Sequence, residues 1–162
     1  MDGFQLIYER NKELDKIFIS RYEKDEPFYF EKNCIGFLVE LGELINETKC
    51  FKYWTIKKPK KDLVLEEYAD CLISALTFYY ALDMDLDEKL VEHQKNDNIL
   101  EIINYLYQQC TKIMKNMNES LLKDILSNLM YLGELLGLSK EEIIDACNKK
   151  QDIIEERLNS DY

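Results

Sequence analysis

The chain has 162 residues, of which 46% are apolar and 33% charged, and its formal net charge is −11. That length and balance fit one domain over residues 1–162, and the acidity excludes the basic stripe of a nucleic-acid surface. No apolar run reaches the ~18 residues of a membrane span and no basic leader opens the chain, so a cytoplasmic protein without a membrane anchor is expected.

Five glycines and two prolines favour long helices with short connections. The five cysteines (Cys34, Cys50, Cys71, Cys110, Cys147) are odd in number and lack a C-x-x-C pair. They read as reduced small hydrophobes.

Taken in order, Phe4, Ile7, Leu14, Ile17, Phe18 and Tyr22 recur at helical spacing and predict a first helix over about 2–24. Asn11 stands within it among polar neighbours, where a surface position and a ligand contact are both open. Asp25-Glu26-Pro27 breaks the pattern. A second helix is expected over about 30–49. It carries Glu40 and Glu43, three residues apart and therefore on one face, set among Phe37, Leu38, Leu41, Leu44 and Ile45. Gly42 costs about 1 kcal/mol of helix propensity relative to alanine, and its small size admits a close neighbour. Glu47, one turn on, is open to a supporting or a solvated role.

Residues 50–61 hold five lysines and three aromatics in an otherwise acidic chain. The segment reads either as a solvated loop anchored by Phe51 and Trp54, or as a basic arm for a metal-bound polyphosphate. A third helix over about 62–82 carries a second pair, Glu67 and Asp70, again at i,i+3 among apolar residues. Residues 85–96 form a short helix or loop around His93, the sole histidine. With no histidine near either acid pair, zinc-hydrolase motifs and the E-x-x-H of di-iron bundles are absent.

Helices four (about 98–116) and five (about 119–136) each show one apolar face and read as packing elements. Gly137 follows as a C-cap, and Ser139 with Glu142 opens the last helix as a capping box. Lys149, Lys150 and Arg157 are its cations. The fold class is thus all-α, a bundle of about five to six helices.

Four acids converging on an apolar face repel one another and resist desolvation. A divalent cation makes such a group tolerable, and hard oxygen ligands suit Mg²⁺ or Mn²⁺, with two or more ions possible for four carboxylates. Such a cluster delivers an activated water to a phosphorus atom. Glu43, central in its helix, is the preferred acceptor of the water's proton. No paired serine and histidine and no activated cysteine offers a nucleophile.

The arrangement at Glu40, Glu43, Glu67 and Asp70 resembles the all-α nucleoside triphosphate pyrophosphatases, which include the MazG-like proteins. The longer strings V-E-L-G-E-L-I-N-E-T-K-C-F-K-Y-W and L-E-E-Y-A-D-C-L are similar to the dimeric, all-helical dUTPases of bacteria and phages. The resemblance extends to K-E-L-D at 12–15, L-G-L-S-K-E-E-I at 136–143 and the closing Lys149, Lys150, Arg157 and Tyr162. It implies Mg²⁺-dependent hydrolysis of dUTP, and often dUDP, to dUMP by a homodimer with both subunits near the substrate. It places Glu40, Glu43, Glu67 and Asp70 as metal ligands, Lys52 and Trp54 beside the nucleotide, and Lys150 and Arg157 over the phosphates.

Four departures concern the remaining contacts. Asn11 stands where relatives carry a base-recognising glutamine. Ile73 and Ser74 replace a histidine–phenylalanine pair, and Ile154 and Leu158 replace an asparagine and a glutamine. Two alternatives accompany the dUTP reading: the same chemistry on another pyrimidine or modified nucleotide, and a non-catalytic helical dimer acting as a binding module.

Overall fold

Apolar residues at three- and four-residue spacing give each helix one face to bury, and six helices form in the computed structural model, which describes residues 3–22, 29–86 and 97–160. They are α1 (Gly3–Tyr22), α2 (Tyr29–Thr48), α3 (Lys61–Ala81), α4 (Ile99–Lys115), α5 (Glu119–Leu135) and α6 (Lys140–Asn159). No strand occurs among the described residues, so the all-α expectation holds. The predicted segment around His93 lies outside the described residues, as does Tyr162.

The ends of the helices follow from local chemistry. Asn98 and Asn118 cap α4 and α5 by accepting backbone N–H bonds from Leu100 (3.0 Å) and Ser120 (2.8 Å). After α5, Gly137 adopts φ +71°, its N–H reaches the Glu134 carbonyl at 2.9 Å, and the Leu138 N–H reaches Gly133 at 3.0 Å. That is a Schellman closure, and the left-handed residue is the glycine the sequence supplies. The same closure ends α3, with Asp83 in the left-handed position at φ 51°. Ser139 and Glu142 form the expected capping box on α6.

Helix α3 is the hub, with α1, α2, α5 and α6 packed round it. Its buried residues run almost without a break from Tyr68 to Tyr79, broken only by Asp70 and Ser74. Phe78 gathers Phe30 and Phe37 of α2 at ring distances of 5.7 and 5.6 Å. Tyr68 donates to the Leu129 carbonyl at 3.0 Å and lies against Gly133 of α5. Helices α1 and α6 clasp one another through Arg10, whose guanidinium meets Asp152 and Glu155 at 2.7 Å each, and through Gln151, which donates to the Ile7 carbonyl at 2.9 Å. No helix among the described residues is long and apolar enough to cross a membrane. All five cysteines are free thiols, and four are buried.

At two positions the structure shows surroundings that the sequence left open. Asn11 is only 2% exposed despite its polar neighbours, because its face of α1 is turned onto α3. Gly42 does have a neighbour, but a Cβ there would meet the Tyr107 hydroxyl at 3.4 Å, an ordinary contact.

Candidate active site

Helices α2 and α3 are joined by residues 49–60 and run antiparallel, so Glu40 comes level with Asp70. Oxygen atoms of Glu40, Glu67 and Asp70 lie within 4.8 Å of one another. All three side chains are partly buried, and Leu41, Leu44, Cys71 and Leu72 on the same two helices are fully buried. Glu43 lines the same cleft but its carboxylate stands outside this trio, more exposed. Glu47 is drawn away to Lys49 at 3.5 Å.

Crowding shows in the proton affinities. Burial, then Glu43 and Asp70, push Glu67 up to about 7. Burial, Asp70 and Glu43 also raise Glu40, with Lys150 opposing. Asp70 is raised by burial although Lys150 pulls the other way. Lys150, from α6, places its Nζ 2.6 Å from Asp70 Oδ2 and brings the cation that meets the cluster. Desolvated carboxylate oxygens in mutual repulsion, with Lys150 paired to Asp70, are a donor set that fits a hard divalent cation.

The cluster opens into a cleft of about 650 Å³. From the acids it extends past Ile73 and Ser74 to Asn11, Asp15 and Thr77, with Phe18, Tyr29 and Leu14 as apolar wall. Arg157, Ile154 and Leu158 of α6 close the remaining side. Of the residues singled out in the sequence, the cleft therefore gathers Asn11, Glu40, Glu43, Asp70, Lys150 and Arg157, and Glu67 joins them through the trio.

Lys52 and Trp54 are not among the lining residues. Lys52 reaches back to the carbonyl and side chain of Asn46, and Trp54 is 64% exposed, stacked edge-on against Tyr53 and Phe51 at 5.0 and 5.9 Å.

Asp15 and Asn33 are polar cleft residues that motif spacing did not single out. Asn11 Nδ2 donates to Asp15 Oδ2 at 2.9 Å and approaches Thr77 Oγ1 at 3.2 Å. Burial pushes the Asp15 carboxyl up to about 7 against the opposing bond from Thr77. The available signal was periodic: Asp15 is one turn from Asn11, and Asn33 lies two turns before Glu40.

An acidic cluster on an antiparallel helix pair, opening into a mixed polar and apolar cleft, defines the class: an all-α protein with a carboxylate-lined cleft. The chain belongs to the dUTPase family, whose model matches residues 3–162. It is accordingly a hydrolase of the dUTP diphosphatase type. No individual curated protein matches it.

Proposed function

We propose that the chain is a Mg²⁺-dependent dUTP diphosphatase that converts dUTP and water to dUMP and diphosphate. The observation that carries this reading is the trio of partly buried carboxylates with oxygens within 4.8 Å of each other, facing Lys150 in an open cleft.

Glu40, Glu67 and Asp70 would hold Mg²⁺, and Glu43 would complete the set or share it. The bound ion supplies Lewis-acid polarisation and lowers the pKa of water. The remaining work falls to the chain's own residues. Lys150 leaves Asp70 to neutralise phosphate oxygens, and Arg157 approaches them from the same helix. Glu43, standing off the trio, accepts the proton of the attacking water. The α–β phosphoanhydride breaks and diphosphate leaves, while the apolar wall of Leu14, Phe18 and Ile73 keeps bulk water from the nucleoside.

We also assign a homodimer to this activity. Ile35 and Val39 lie one turn apart on α2 and are 51% and 54% exposed, an apolar strip available to a partner. A second copy against it would cover that face and bring a foreign 50–60 segment, with Lys52 and Trp54, towards the nucleotide. Free buried thiols suit a reducing, cytoplasmic setting.

The test is diphosphate release from dUTP with Mg²⁺ and with EDTA, for the unaltered chain and for Glu40→Gln. Fast release that EDTA and the substitution both abolish is expected. Absence of metal-dependent release from dUTP refutes the reading.

A further inference from the structure

We propose that Glu66 is a positioning residue for the cation site: it receives the Lys150 ammonium once Asp70 is given over to a divalent ion. The proposal rests on the reading of Glu40, Glu67 and Asp70 as holders of that ion, and not on the identity of the nucleotide.

Helices α3 and α6 run side by side in the same direction. Lys61 meets Glu142 at 2.6 Å, and nine residues on along α3 and eight along α6, Asp70 meets Lys150 at 2.6 Å. Glu66 and Ala146 stand four residues before Asp70 and Lys150 on their own helices, and so at one level. Both line a groove of about 380 Å³ between α3 and α6. Among the described residues Lys150 alone lines both this groove and the cleft of the acids. It stands on the wall between the two.

The Lys150 Nζ now lies within the acidic cluster, 2.6 Å from Asp70 Oδ2. A divalent ion on the same carboxylate would set two positive centres side by side in a half-buried place, so the ammonium has to leave. Three features direct it to Glu66. A helical side chain leans towards the N-terminus of its own helix, and one turn of about 5.4 Å back from Lys150 is the level of Glu66. The flexible four-carbon stem of lysine covers that step by bond rotation, with the backbone in place. Glu66 is exposed and makes no ion pair among the described residues.

The other acids of the groove are less suited. Glu142 is held by Lys61, and Asp62 stands two turns from Asp70. Asp145 is five residues before Lys150 on the same helix, off the three- or four-residue spacing at which helical side chains meet. Lys149 lines the groove as well, yet forms no ion pair with Glu66. Moved to Glu66, Lys150 keeps its charge within one turn of the cluster and stays available to phosphate oxygens. Without Glu66 the displaced ammonium has only water, and Asp70 is given up less readily.

The experiment titrates Mg²⁺ into the nucleotide-free chain by calorimetry at pH 8 and low salt. It compares the unaltered protein, Glu66→Gln, Lys150→Met and the double variant. Lys150→Met removes the competing ammonium and is expected to tighten Mg²⁺ binding about threefold or more. Glu66→Gln is expected to weaken it about threefold or more when Lys150 is present, and by about 1.5-fold or less beside Lys150→Met, because its effect passes through the lysine. Equal weakening in both backgrounds marks plain attraction between Glu66 and the ion and overturns the proposal. A Glu66→Gln protein that binds Mg²⁺ like the parent overturns it as well. No Mg²⁺ binding by the unaltered chain refutes the cation site and this inference together. The expected binding pattern without diphosphate release from dUTP supports the inference and refutes the diphosphatase reading alone.

Discussion

Gly133→Ala tests how tightly the hub helix is held. A Cβ at this position would lie 2.7 Å from the Tyr68 hydroxyl oxygen, 2.8 Å from Cζ and 3.1 Å from Cε2. Tyr68 is fully buried and its hydroxyl is anchored on the Leu129 carbonyl, so the ring cannot swing into solvent. Overpacking of this kind costs about 1–3 kcal/mol, and loss of the hydroxyl bond adds about 1 kcal/mol. Alanine returns about 1 kcal/mol of helix propensity. A net loss of about 1–3 kcal/mol is expected, read as a shift in the urea midpoint at constant m. In a Tyr68→Phe background the cost should shrink without vanishing, since the oxygen is gone but Cζ remains at 2.8 Å. A double-mutant cycle gives the coupling. Because Tyr68 sits between Glu67 and Asp70, turnover should fall further than stability alone explains. A Gly133→Ala protein as stable as the parent would refute the packing argument.

The acidic trio makes two linked predictions. In EDTA, stability should decline as pH rises from about 4.5 towards about 7, because the folded state holds the Glu67 proton more tightly than the unfolded chain does. Mg²⁺ should flatten that slope; thermal melts across the pH range with and without the ion provide the check. Glu67→Gln should raise the melting temperature in EDTA while lowering Mg²⁺-dependent turnover about a hundredfold or more, and a lower melting temperature in EDTA would contradict the repulsion. Ser139→Ala should cost about 1 kcal/mol by removing the α6 cap, measured by urea unfolding.

Where local chemistry decides, the structure was legible in the sequence. Caps at Asn98 and Ser139, and the left-handed Gly137, mark helix ends within a residue or two of the periodicity. The i,i+3 spacing put Glu67 and Asp70 on one face of α3, and the short connection between α2 and α3 brought Glu40 to them. Two features escaped because tertiary placement decides them. Asn11 sits in a run of charged residues, and only the packing of α1 on α3 buries it. Which acids meet across α2 and α3 depends on the offset between the two helices, and spacing within one helix carries no information on that offset. The contacts of Lys52 with Asn46 and of Trp54 with Phe51 and Tyr53 are likewise a property of the folded loop.

All four acids belong to one helical hairpin, whereas Lys150 arrives from 80 positions beyond Asp70. Closing the hairpin spans about 30 residues between Glu40 and Asp70, so by loop-entropy scaling it is favoured over the Lys150 contact by about 0.9 kcal/mol. Contacts of short sequence separation form early. By that ordering the chain assembles its concentrated negative charge before the lysine that offsets it, and a dissolved divalent cation would offset that charge at the same step.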